Sequence, residues 1–290
     1  MEAGAYRAKP GDPIGVFDSG IGGLTVLKEL ARQLPHEHFV YLGDLAHSPY
    51  GSKSPEAVRG FSLQIARYLL SRQVKLIVIA CNTASAAAAL EVSQLAGPVP
   101  VMEVVEAGAV AALDAVAHLR EPARIGILGT ETTVASGIYA RKLEAMAQSR
   151  GMARPALMQT ACPLFVPLVE EGFWDGSIPR QVAKYYLSAM RSFRPHTVIL
   201  GCTHYPLLEK AIRRALPAAL LAQSAPVLVS RVEAHLDRQG LRAPSESPGK
   251  LEFYTSDSVD TFSRHAGRFL DLPGLLVHHI DLDACAGGEE

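Results

Sequence analysis

Apolar residues fall along this chain in two rhythms. Leu76-Ile77-Val78-Ile79-Ala80 and Val198-Ile199-Leu200 are continuous apolar runs, the pattern of strands buried on both faces in parallel α/β sheets. The first runs into Cys81-Asn82-Thr83 and the second into Gly201-Cys202-Thr203-His204, so each ends in a cysteine and then turns polar. Elsewhere apolar residues recur at helical spacing, as at Leu24, Leu27, Leu30 and Leu34. Further strands are expected at residues 14–17, 39–42, 98–102, 125–130, 251–256 and 275–280. Helices are expected at 24–34, 54–72, 106–119, 134–147, 179–193, 224–239 and 259–270, with Ser54 as a cap and Pro55 in the first turn of the second. The polar start, residues 1–13, reads as a disordered arm, and 43–53 and 162–172 read as loops.

The pattern also repeats. Ile125-Gly126-Ile127-Leu128-Gly129-Thr130 matches Ile14-Gly15-Val16-Phe17-Asp18-Ser19 position by position, and each leads toward its own cysteine-ending strand. Strands alternating with helices give an α/β fold. The repeat gives two similar parallel-sheet domains related by a pseudo-two-fold, with the active site in the cleft between them. The expected division is 1–103 plus 222–290 for the first domain and 104–221 for the second, the tail packing back on the first. Such a pair aims the two strand-end cysteines at each other.

Composition narrows the function classes. With 290 residues and 48% hydrophobic content there is material for two cores. A net charge of −1 leaves no basic footprint for nucleic acid. The first residues lack the apolar core of a signal peptide, and no apolar run approaches a membrane span. A cytoplasmic protein without a membrane partner is expected. The four cysteines, Cys81, Cys162, Cys202 and Cys285, form no CxxC pair, so neither a zinc site nor any other metal centre is expected. Cys162 and Cys285 lack the strand-end setting and read as small buried hydrophobes. His36 and His38 read as surface residues of a loop. Gly20, Gly22 and Gly23 do not fit G-x-G-x-x-G and read as turn geometry rather than a dinucleotide site.

Cys81 is followed by the helix former Thr83-Ala84-Ser85-Ala86-Ala87-Ala88-Ala89, and Cys202 by Pro206-Leu207-Leu208-Glu209. A helix start and partial exposure both favour thiolate. Two opposed thiols can take a proton from one face of a carbon and return one on the other, which inverts a stereocentre. Asp18 and Ser19 are the polar groups for the first thiol, Glu170 and His204 for the second. Two other readings need only part of this set: a cysteine nucleophile at Cys202 with His204 as base, and a non-catalytic amino-acid clamp.

The stretches Asp18-Ser19-Gly20-Ile21-Gly22-Gly23-Leu24-Thr25-Val26, Gly43-Asp44 through Pro49-Tyr50-Gly51, Ala80-Cys81-Asn82-Thr83-Ala84 and Gly201-Cys202-Thr203-His204-Tyr205-Pro206-Leu207 together resemble the glutamate racemases. The resemblance implies cofactor-independent interconversion of L- and D-glutamate, supplying D-glutamate for peptidoglycan, cell-wall biogenesis and cell shape, by a cytoplasmic homodimer. It implies Cys81 and Cys202 as the acid–base pair, with Asp18 assisting Cys81 and Glu170 and His204 assisting Cys202. Glu171 is the alternative to Glu170. It implies substrate contacts from Asp18, Ser19, Tyr50, Gly51, Asn82, Thr83, Thr203 and His204, with Thr130 and Thr133 as further candidates. An aspartate or other amino-acid racemase on the same scaffold is the alternative activity.

Overall fold

The computed structural model of the chain describes residues 7–246, 248–272 and 274–282. Cys285 and the Glu289-Glu290 end lie outside the described residues. The first sheet is built around β1 (Ile14–Asp18), whose five residues are all buried. It pairs in parallel with β2 (His38–Gly43) on one side and β3 (Leu76–Ile79) on the other. Beyond β3 lies β4 (Val101–Glu103). Beyond β2 lie the tail strands β9 (Lys250–Thr255) and β10 (Val277–His279). The tail strands therefore complete the first sheet.

The second sheet is built the same way. Its β5 (Arg124–Gly129) pairs in parallel with β6 (Ala156–Ala161) and β7 (Thr197–Gly201), and β7 pairs with β8 (Leu220–Ala222). The order β6-β5-β7-β8 repeats the order β2-β1-β3-β4. Register confirms the repeat: Phe17 pairs with Ile79, and its counterpart Leu128 pairs with Leu200. Cys81 and Cys202 each lie two residues past that pairing, so the duplicated unit delivers both thiols to the same point on the carboxyl edge of its sheet. In open α/β sheets that edge is the ligand-binding side.

Helices cover the sheets. α1 (Leu24–Gln33) and α2 (Pro55–Ser71) belong to the first unit, and Ser54 caps α2 by accepting the Ala57 amide. α3 (Asn82–Ala96) starts at Cys81 and packs its alanine face on α2, which permits a close approach. α4 (Val104–Val116) begins earlier than its expected start at 106, because the Glu103 side chain accepts the Val105 and Glu106 amides. The single helix expected over 134–147 is two: α5 (Glu131–Ser136) and α6 (Ile138–Ser149). They meet at Gly137, whose φ of 63° is left-handed and closes the first helix. α7 (Phe165–Glu170) and α8 (Ser177–Phe193) follow β6, and α9 (Glu209–Ala215), α10 (Ser224–Gln239) and α11 (Val259–Leu270) follow β7.

Other expectations are corrected. Residues 10–13 are held rather than loose: Pro10 and Pro13 carbonyls accept from the side chain and amide of Lys75, which is fully buried in an ion pair with Glu37. His38 opens β2 and pairs with Glu252 at 3.2 Å instead of lying in a loop. The loop expected at 162–172 contains α7, in which Pro167 sits in the first turn, where a missing amide costs nothing.

One exposed position offers a test of the fold. Gly60 lies in α2 and a Cβ there meets nothing within 4 Å. Gly60→Ala is expected to raise unfolding stability by about 0.5–1 kcal/mol in chemical denaturation, since glycine gives up more backbone freedom in a helix.

Candidate active site

The carboxyl edges of the two sheets enclose a cavity of about 350 Å³. Cys81 and Cys202 both line it, at 4% and 6% exposure. Each thiol comes with a different set of partners.

Cys81 caps α3: its Sγ accepts the Ala84 amide at 3.4 Å and its carbonyl accepts the Ser85 amide and hydroxyl. Burial pushes the Cys81 thiol up to about 12, the Asp18 carboxylate beside it pushes the same way, and the amides of Ala84 and Ser19 with the Ser19 hydroxyl oppose them. The expectation of a partly exposed thiol favoured as thiolate is thereby corrected: at Cys81 burial and a neighbouring acid outweigh the helix end. Asp18 lies behind the cavity wall at 1% exposure and accepts the Gly20 amide at 3.0 Å. Burial raises its carboxyl, against the pull of His204 and of the Gly23 and Gly20 amides. A carboxyl so raised can hold a proton taken from Cys81.

Cys202 does not head a helix directly. A single 3₁₀ turn, Tyr205–Leu208, intervenes before α9. Its partner is a side chain: His204 Nδ1 lies 3.7 Å from Cys202 Sγ, and His204 Nε2 lies 3.1 Å from Glu170 Oε1. Burial alone lowers the imidazole, but the bonds to Cys202 and Glu170 outweigh it and raise His204 to about 10. His204 can therefore carry the Cys202 proton through the neutral range, with Glu170 holding the imidazolium. The bond to His204 comes from Glu170, whereas Glu171 is exposed and lies with Gly172, Trp174 and Arg268 in a separate surface cleft.

The remaining expected residues divide. Ser19, Tyr50, Gly51, Asn82, Thr83, Thr130 and Thr203 line the cavity, while Thr133 sits behind it. Thr83 from the first unit bonds Thr130 and Thr133 from the second at 3.0 and 3.3 Å, so hydroxyls bridge the cleft. Asn82 accepts a bond from Tyr139 at 2.7 Å, and its buried amide nitrogen has no protein partner. A buried donor left open at a cavity wall is a ligand contact in waiting. Cys162, by contrast, is fully buried with its thiol directed at the Thr160 carbonyl, a structural role as expected. Among the described residues no group of three or more His, Cys, Asp or Glu side chains is arranged to hold a metal ion.

Several lining residues were not legible beforehand. Ser48, Pro49 and Ser52 come from the loop after β2, Glu131 from the start of α5, and Pro163, Val166 and Pro167 from around α7. Beneath them, buried Asp44 accepts from Tyr50, Ser256 and His47 and fixes the loop. Asp44 follows β2 as Asp18 ends β1, and that strand-end position and its place in the Gly43-Asp44 stretch were the signals available for it. The apolar residues around α7 carry no chemical signature.

Comparisons with known proteins identify the family. The Asp/Glu/Hydantoin racemase model matches residues 14–236. A glutamate racemase of Geobacter metallireducens is 41% identical over 276 residues, 95% of this chain and 98% of the relative. The structure of glutamate racemase from Francisella tularensis in complex with D-glutamate superimposes with a TM-score of 0.87 at 34% identity, covering 95% of this chain and 99% of the other. The Thermus thermophilus glutamate racemase in complex with β-chloro-D-alanine gives 0.82 at 41% identity, with 95% and 99% covered. Paired strand-end thiols, a duplicated sheet and a match running from β1 into α10 converge on one conclusion: the chain belongs to the Asp/Glu/hydantoin racemase family.

Proposed function

We propose that the protein interconverts L- and D-glutamate by a two-thiol mechanism, with Cys81 and Cys202 as the acid–base pair and no cofactor. The observation that carries this is the pair of strand-end thiols lining one cavity, with Asp18 beside Cys81 and His204 beside Cys202. The substrate follows from the glutamate racemases to which the chain is similar along nearly its whole length, one of them solved with D-glutamate.

In one direction the Cys202 thiolate, its proton held by His204, takes the α-proton. The carbanion then takes a proton from the Cys81 thiol on the opposite face. In the other direction Asp18 accepts the Cys81 proton first, and the roles exchange. Among the described residues no lysine or arginine lines the cavity, so substrate carboxylates are held by His204 and by neutral donors. The neutral ones are the hydroxyls of Ser19, Thr83, Thr130 and Thr203, the Asn82 amide, and the start of α3, where the helix dipole favours negative charge. The same donors stabilise the charge that develops on the α-carboxylate side of the carbanion.

The division into 1–103 plus 222–290 and 104–221 is part of this reading, since it puts one thiol on each unit. So are a homodimer, a cytoplasmic location and supply of D-glutamate for peptidoglycan. Among the described residues no helix is long and apolar enough to cross a membrane.

The test is incubation of the reduced protein with L-glutamate in heavy water, followed by proton NMR and chiral separation. Deuterated D-glutamate is the expected product. Neither exchange nor D-isomer, from folded protein with free thiols, sinks the glutamate reading and turns attention to aspartate and other α-substituted acids.

A further inference from the structure

The tail of the chain completes the first sheet, yet one of its side chains bears on the acid–base machinery of the second unit. α11 buries Phe262, Ala266, Phe269 and Leu270. Phe269 does not line the cavity. Its ring instead meets the His204 imidazole edge-on, with centroids 6.2 Å apart and planes at 84°. The same ring meets Trp174 at 6.0 Å and 88°. Trp174 in turn donates its indole N–H to the Val169 carbonyl at 2.8 Å, one residue before Glu170. Phe269 thus stands between the two elements that carry the bonded pair His204 and Glu170. Its own backbone is anchored from α1, where Lys28 donates to the Phe269 carbonyl at 3.3 Å and pairs with Asp271.

The exposures of the pair are unequal. The His204 side chain is 6% exposed and that of Glu170 is 34% exposed, so water reaches the carboxylate. What keeps that water from the imidazole is apolar surface, and Phe269, at 4% exposure, supplies it on the α11 side. A charge-assisted bond is stronger where water is kept from it.

We propose that Phe269 is a positioning residue for the Cys202 relay: its ring holds the His204 imidazole in line with Cys202 and Glu170 and keeps water off that bond. It touches neither substrate nor reacting atoms and acts through His204. The inference deepens the proposed acid–base role of Cys202 and rests on that reading.

The consequence is a split between chemistry and binding. Removing the ring leaves the cavity wall unchanged but loosens the relay, so kcat falls while KM stays nearly constant. With water admitted, both the burial that lowers His204 and the bonds that raise it weaken. The net effect returns the imidazole from about 10 toward its ordinary range.

Phe269→Ala and Phe269→Leu are compared with the parent protein, the second to keep an apolar side chain in the core. Two readouts are taken per folded molecule: racemisation of glutamate, and the pH dependence of iodoacetamide alkylation at Cys202, located by peptide mass spectrometry with Cys81 as internal reference. For Phe269→Ala, kcat is expected to drop about tenfold or more with KM within about twofold. The rise in Cys202 alkylation, the step that marks thiolate formation, is expected to move to higher pH in both variants, further in the alanine form, while Cys81 is unaffected. A residue that only fills the core lowers the folded fraction and leaves that step in place. An unmoved step in both variants overturns the proposal. The alkylation readout needs no substrate, so a parent protein inert toward glutamate whose Cys202 step still moves in the variants would remove the glutamate reading and leave the positioning role standing.

Discussion

Cys81→Ala and Cys202→Ala are each expected to abolish racemisation, with kcat/KM for glutamate down by at least about a thousandfold, or about 4 kcal/mol of transition-state stabilisation. The size follows from the arrangement. The two thiols end strands of different sheets and line one cavity of about 350 Å³, so neither can serve the other's face of the substrate. Loss of one leaves an intermediate that can only be reprotonated from the side it was deprotonated on. Each single variant should therefore still exchange the α-hydrogen of one enantiomer in heavy water without inverting it, and the two variants should choose opposite enantiomers. Proton NMR of L- and D-glutamate incubated separately with each variant reads this directly. A Cys202→Ala protein that racemises at the parent rate refutes the two-base scheme. The same measurement separates the rival readings. A cysteine-nucleophile enzyme needs Cys202 but not Cys81, and a binding clamp needs neither.

The central strands and their thiols were legible in the sequence because burial on both faces writes an uninterrupted apolar run. β1, β3 and β7 have no exposed residue. β6 was not legible for the converse reason. It lies at the sheet edge with no fully buried position, so Ala156-Leu157-Met158-Gln159-Thr160-Ala161 shows no such run. β8 is only three residues long. The chemistry divides in the same way. Cysteines, acids and histidines at or just past strand ends announce themselves, as even Asp44 does by position though not by its role beneath the loop, whereas Phe269 reaches the relay from the far end of the chain. Such contacts belong to the third dimension alone. The electrostatic setting was also beyond the sequence. A helix start next to Cys81 argued for thiolate, and only the depth of burial with Asp18 alongside reversed the sign.

Gly22→Ala is expected to lower kcat/KM by about a hundredfold or more, the largest effect of any substitution that removes no functional group. A Cβ at position 22 falls 2.4 Å from both Cε1 and Nδ1 of His204 and 2.5 Å from Thr203 Oγ1, distances that packed atoms do not adopt. The backbone cannot retreat, because the Gly22 carbonyl accepts both the amide and the hydroxyl of Thr25, and that hydroxyl also reaches the Thr203 carbonyl. The imidazole is the part that must swing. In doing so it leaves Cys202 Sγ and Glu170 together, since the 3.7 Å and 3.1 Å contacts lie at opposite ends of one ring. Stability should suffer less than activity, by about 1–3 kcal/mol as in other overpacked sites. Steady-state kinetics beside chemical denaturation separates the two losses, and Gly60→Ala, where a Cβ meets nothing, serves as the control for glycine replacement itself. Activity within about threefold of the parent would mean that the turn after β1 yields where the packing says it cannot, and that His204 need not hold its place for Cys202 to work.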